Sequence, residues 1–189
     1  MKIVNLKQGS SEWDAFRRIH IGASEAPAIA GVDPYTKPEK LWHRKFTGEK
    51  QYVSPAMRRG TELEPLVRKM LERTDGVCYL PLVVQHDEHE WMIASLDGYD
   101  ESTKKGIEIK CPGDKLFNQI IIDRDIPKHY IYQIQHQMSV TNLHTWSLIV
   151  FNGTYFEEFH VDRDEDIIQE LIEKEQRFYQ SLLEGEFKV

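Results

Sequence analysis

Ser95-Leu96-Asp97-Gly98, followed by Gly106-Ile107-Glu108-Ile109-Lys110, is the stretch whose reading decides the fold. Side chains alternate faces along a strand, so Glu108 and Lys110 point one way while Ile107 and Ile109 point the other. If the segment around Asp97 pairs alongside, two carboxylates and one ammonium converge on a single sheet face. Hard oxygen donors of this kind suit Mg²⁺, which usually keeps several of its waters. A neighbouring lysine can steady or deprotonate one of those waters. The pattern therefore fits metal-assisted hydrolysis of a phosphodiester. It also fits an ordinary strand with a solvated charged face, because Glu-x-Lys arises easily in a chain that is 29% charged. A second copy, Glu186-Phe187-Lys188, has no apolar strand around it and reads as tail.

Composition narrows the class without naming the chemistry. The chain of 189 residues, 40% of them hydrophobic, is long enough for one domain with a proper core. No apolar run approaches the roughly 18–20 residues that span a bilayer, and the N-terminus lacks a signal-peptide core. Cys78 and Cys111 are the only cysteines, too few for a disulfide framework or an iron–sulfur cluster, so a reducing cytoplasm is the expected compartment. The net charge of −7 is unevenly spread. From Glu157 onward there are 11 acids and 4 bases, whereas residues 1–75 carry 14 bases and 10 acids. The N-terminal part can still face phosphates.

Periodicity and turn residues predict a mixed α/β chain. Ser10 or Ser11 caps a short helix carrying Trp13, Phe16 and Ile19. Gly22–Gly31 turns into a small-residue helix that Asp33-Pro34-Tyr35 breaks. Helices are expected from Pro38 to about Phe46, about Ala56 to Arg73, Lys115 to Ile122, and Lys128 to Thr141. Strands are expected over Val77–Gln85, Trp91–Asp97 and Lys104–Lys110. Trp146–Phe151 and Thr154–Val161 form a hairpin across Asn152-Gly153. The expectation is one domain over 1–189, with a core of about 10–160 and an acidic closing helix of about 164–183.

Further residues bear on chemistry. Glu64, in Arg59-Gly60-Thr61-Glu62-Leu63-Glu64-Pro65, is either a third carboxylate for the site or a first-turn carboxylate favoured by a helix dipole. Gln133 and Gln137 are four apart and share a helix face. Gln133 is the better functional candidate, and Gln135 and Gln137 read as a polar outer face. Arg17, Arg18 and Ser24 bracket a glycine turn and a helix start, which can form a phosphate cradle or a solvated, simply capped surface. The histidines lack ligand spacing for zinc, and the four tryptophans read mostly as core.

The order of these segments resembles the YqaJ-like viral recombinase group, the lambda-exonuclease type of PD-(D/E)xK nuclease. The segments are Arg18-Ile19-His20-Ile21-Gly22-Ala23-Ser24-Glu25-Ala26, the Arg59–Pro65 run, Asp97, Glu108-Ile109-Lys110-Cys111-Pro112, and Tyr130-Ile131-Tyr132-Gln133-Ile134-Gln135. The resemblance implies a restriction-endonuclease-like core, a central mixed β-sheet flanked by helices. It implies Asp97, Glu108 and the Ile109 carbonyl as ligands of Mg²⁺, with Mn²⁺ as substitute and two ions per site. Lys110 would position or activate the water, Glu64 would serve the second metal or that water, and Gln133 would support the same network. Arg18 and Ser24 would hold the 5′ phosphate of a double-stranded DNA end. It further implies a ring-shaped homotrimer that digests one strand 5′ to 3′, leaving a 3′ overhang for a single-strand-annealing protein. The acidic C-terminal helix would serve a trimer contact or solvation. The rival readings are an endonuclease or repair nuclease on the same core, and a non-catalytic DNA-binding module.

Overall fold

A computed structural model describes residues 1–188. Its strands are β1 Lys2–Val4, β2 Ile21–Gly22, β3 Leu80–Gln85, β4 Met92–Asp100, β5 Lys105–Lys110, β6 Thr145–Phe151 and β7 Phe156–Asp162. Its helices are α1 Ser11–Arg18, α2 Ala26–Ala30, α3 Pro38–Thr47, α4 Pro55–Asp75, α5 Asp114–Asp123, α6 Lys128–Thr141 and α7 Glu165–Glu184. All seven strands join one sheet in the order β1-β3-β4-β5-β6-β7, with β2 beside β4. The β5–β6 and β2–β4 pairs are parallel and the rest antiparallel, so the sheet is mixed, as expected.

The parallel β5–β6 pair requires a crossover, and α5 and α6 supply it. That crossover lays α6 over the sheet beside the charged residues of β5. The β4–β5 turn is tied by Asp100, whose Oδ2 accepts from the Thr103 and Ser102 hydroxyls and the Thr103 N–H at 2.6–2.8 Å. Those hydroxyls hold the Asp100 carboxyl down to about 2. The turn thereby fixes the register Gly98↔Ile107 that decides where Asp97 stands relative to Glu108.

Each sheet face has its own core. Ile134 and Met138 of α6, with Phe117 and Ile120 of α5, pack against Leu96, Leu148 and Val150. Val67 and Leu71 of α4 pack against Ile107, Ile109, Ile149 and Phe151 on the other face. Gly106 marks a close approach: a Cβ there would stand 2.3–2.6 Å from the Trp146 ring, which is buried and has nowhere to go. Gly106→Ala is expected to cost about 1–3 kcal/mol by overpacking. A thermal melt of the variant checks this, and an unchanged midpoint would contradict it.

Several sequence expectations shift. The strands β1 and β2 are too short to leave a periodic signature. The apolar side chains of α1 are not buried, and Ile19 is 63% exposed. Pro65 lies inside α4 rather than near its start, which removes the first-turn reading of Glu64. The C-terminal helix is no mere solvated strut, because Ile168, Leu171 and Phe178 of α7 are buried. Leu171 packs against Ala26 and Ala30 of α2, and Phe178 against Ile29 of α2 and Leu41 of α3.

Candidate active site

The backbone pairing of β4 with β5 runs to Gly98↔Ile107. Beyond that point the Asp97 side chain takes over: its Oδ2 accepts the Ile109 N–H at 2.7 Å. In a strand the N–H and C=O of one residue point to the same side, so the Ile109 carbonyl lies on the β4 edge of β5. Glu108 and Lys110 project from the opposite face of β5 to the Ile107 and Ile109 side chains. Lys110 Nζ lies 2.7 Å from Glu108 Oε1.

Above them α6 contributes two amides. Gln133 donates to Glu108 Oε1 at 2.6 Å and accepts from Lys110 Nζ at 2.7 Å. Gln137 donates to Glu108 Oε2 at 2.6 Å and is fully buried, with no hydrogen-bond partner for its own Oε1. The polar-outer-face reading of Gln135 and Gln137 is thus corrected. Gln137 faces the carboxylate, and Gln135 is buried on another side, accepting from the Asp164 N–H and donating to the Asp162 carbonyl. The i, i+4 spacing from Gln133 was the signal that could have placed Gln137.

Glu64 reaches the cluster from α4. Arg68, one turn on, donates to Glu64 Oε1 at 3.0 Å and to the Asp97 carbonyl. Arg68 went unnoticed in the sequence, although its i+4 spacing from Glu64 is visible there. Burial pushes the Glu64 carboxyl up, Arg68 opposes this, and Glu108 adds to it. Burial, then the charges of Glu108 and Glu64, push the Asp97 carboxyl well above its ordinary value. Burial works against the Lys110 ammonium, but Glu108 outweighs it and the lysine is held above its ordinary value. The cluster therefore gathers three carboxyls that Lys110 and Arg68 relieve only in part.

Among the described residues, no three His, Cys, Asp or Glu side chains are placed so that they alone could hold a metal ion. The available donors near Asp97 are carboxylate oxygens and the Ile109 carbonyl. A hard cation that retains several waters fits that set.

A cleft of about 730 Å³ has Glu64 in its wall, along with Arg17, Arg18, Arg44 and Lys50. Asp14 and Glu49 also line it. Arg17 is the fixed cation here: it donates to Ser24 Oγ at 3.0 Å and its guanidinium lies 4.7 Å from the Trp13 ring centroid. Behind it, Lys45 Nζ donates to the Arg17 carbonyl and to Glu25 Oε2, both at 2.8 Å. Arg18, expected beside Ser24 on a 5′ phosphate, lies apart from that serine. Its guanidinium donates to the carbonyls of Lys45 and Phe46 at the end of α3. That is how a cation satisfies a helix C-terminus.

Comparison with known proteins bears on the fold and the family. The "uncharacterized protein YqaJ" of Bacillus subtilis (strain 168) is 27% identical over 190 residues. The match covers 96% of this chain and 59% of that protein, so the chain spans about three-fifths of the relative's length. In fold, the chain is similar to an alkaline exonuclease from Laribacter hongkongensis, LHK-Exo, crystallised in complex with dAMP. That likeness has a TM-score of 0.81 at 24% identity, covering 93% of this chain and 94% of the other. A phage-related exonuclease from Haemophilus somnus 129PT gives 0.62 at 18% identity, over 92% and 99% of the two chains. The model of the YqaJ-like viral recombinase domain matches residues 12–144, which include Glu64, Asp97, Glu108, Lys110 and Gln133. The chain belongs to the YqaJ-like viral recombinase domain family.

Proposed function

We propose that this chain is a Mg²⁺-dependent exonuclease that digests one strand of linear duplex DNA from its 5′ end. The observation that carries the reading is the convergence of Asp97, Glu108 and Lys110 at the end of the β4–β5 ladder, with Gln133 bridging acid and lysine. Family membership and the folds of the two exonucleases above support it. Asp97, Glu108 and the Ile109 carbonyl would hold the ion, and Glu64 would serve a second ion or the attacking water. Bound there, Mg²⁺, or Mn²⁺ in its place, would supply charge stabilisation and acidify a water, and a pair would also stabilise the leaving oxygen. Lys110 orients the water by donating to it, and Gln133 fixes the lysine. Gln137 fixes the other oxygen of Glu108.

Arg17, with Ser24, is the group we assign to a 5′ phosphate, in place of Arg18. A guanidinium already held by a serine, a ring and the Glu25–Lys45 pair needs little reordering to meet a phosphate. The same reading includes a homotrimeric ring around DNA, a single-strand-annealing partner for the 3′ overhang, and a cytoplasmic setting. No helix of the described residues is long and apolar enough to cross a membrane.

The test is digestion of 5′-phosphorylated linear duplex beside the same DNA as a closed circle, with and without Mg²⁺. Loss of linear DNA alone supports an end-dependent exonuclease. Cutting of the circle replaces it with an endonuclease, and no cutting of either leaves a DNA-binding module. Arg17→Ala is expected to lower activity about tenfold or more on 5′-phosphorylated ends, the scale of one charge-assisted hydrogen bond. Equal loss on hydroxyl ends would remove that assignment. Gln137→Met is expected to raise the Mg²⁺ concentration needed for half-maximal activity by about 10–100-fold, the scale of losing a residue that orients a metal ligand. An unchanged requirement would leave Gln137 a packing residue only.

A further inference from the structure

Tyr35 is 75% exposed, yet it is anchored. Its N–H donates to Asp33 Oδ1 at 2.8 Å, and its ring meets that of His129 edge-on at 5.9 Å. The His129 ring packs on Tyr130 at 4.4 Å, and Lys110 Nζ lies 5.1 Å from the Tyr130 centroid. A line of aromatic rings thus runs from solvent to the ammonium of the carboxylate cluster. Lone exposed aromatics are common and need no explanation. This one is continuous with the site, and two exposed lysines flank it in sequence, Lys37 beyond Tyr35 and Lys128 before His129.

Aromatic faces interleaved with basic side chains suit single-stranded nucleic acid, because every base offers a π-face while the lysines follow the phosphates. The cleft that holds Arg17 and Glu64 is lined by α1, α3, α4 and the loop between α3 and α4, whereas the rings sit on the loop after α2 and on the first turn of α6. Separate surfaces are therefore available for a backbone and for unpaired bases. We propose that Tyr35 and His129 form a stacking subsite for unpaired bases of a DNA strand at the Asp97–Glu108–Lys110 cluster. The choice of ligand rests on the nuclease reading above.

The experiment is fluorescence anisotropy in EDTA, so that binding is read without hydrolysis, using a blunt duplex and the same duplex with a single-stranded dT tail. Tyr35→Ala is expected to weaken binding of the tailed probe about tenfold, about 1.4 kcal/mol. Tyr35→Trp should restore it, and blunt-duplex affinity should change less than twofold. Tyr35 is exposed, so these variants are expected to fold, and circular dichroism verifies it. Unchanged affinity for the tail, or equal losses on both probes, would overturn the proposal. A protein that cuts no DNA yet grips the tail through Tyr35 would sink the nuclease reading and keep the subsite. An active nuclease with Tyr35-independent tail binding would do the reverse.

Discussion

Lys110→Ala is expected to slow hydrolysis of linear duplex by about 10²–10⁴-fold, the range for removing a positioned proton-handling group. Lys110 Nζ lies 2.7 Å from both Glu108 Oε1 and Gln133 Oε1, so it is the hub joining the acid to the α6 amide. Removing it leaves Glu108 bonded to Gln133 and Gln137, and for that reason the fold should survive the change. Lys110→Arg should not rescue activity. A broad planar fork cannot sit as a compact donor between a carboxylate, an amide and the Tyr130 ring. Single-turnover rates for both variants, with circular dichroism of each, decide the matter. A folded Lys110→Ala protein with wild-type rate would exclude the lysine from the reaction.

How legible this site was depends on which element each residue occupies. Glu108 and Lys110 sit on a strand where period-two alternation fixes the face, whereas Asp97 stands where β4 carries an extra residue against β3 (Leu82↔Leu96, then Leu80↔Tyr99) and the alternation lapses. The helix expected over Lys128–Thr141 has the bounds found in α6. Gln137 was misplaced because a glutamine is usually exposed, and this helix is buried without interruption from Ile134 to Thr141. What encloses it is the sheet together with α2 and α7, and helix periodicity carries no record of such distant neighbours. Arg17 and Arg18 show a different limit. Adjacent residues on a helix point about 100° apart, and only the position of α3 decides which of them caps its carbonyls and which meets Ser24. Tyr35 offered no periodic signal, because it lies in a loop between two helices.

The same enclosure creates the largest expected effect on stability. His136 and Glu175 are fully buried, and His136 Nδ1 lies 2.8 Å from Glu175 Oε1. His136 Nε2 faces the Ile93 carbonyl at 2.9 Å, so that nitrogen must carry a proton. The pair ties α6, which bears Gln133 and Gln137, to both α7 and β4. Burial opposes the His136 charge, but Glu175 prevails and raises the imidazole above its ordinary value of 6.5. Glu25 adds to the same direction, while His89 acts on Glu175 from the β3–β4 turn. Burial raises the Glu175 carboxyl too, so both shifts make the folded pair hold its proton more tightly than the unfolded chain does. The part that His136 contributes is therefore complete below about pH 6.5 and fades as pH rises through its folded value, while the Glu175 shift makes stability fall in the same direction at lower pH. Glu175→Ala is expected to cost about 3–5 kcal/mol, because it strips a buried group of its partner. Glu175→Gln keeps an oxygen or amide at hydrogen-bond distance and should cost less, but should flatten the pH dependence. Thermal melts from pH 6 to 9 compare the three proteins. A wild-type midpoint that falls no faster with pH than that of Glu175→Gln would show that the pair holds no extra proton in the folded state.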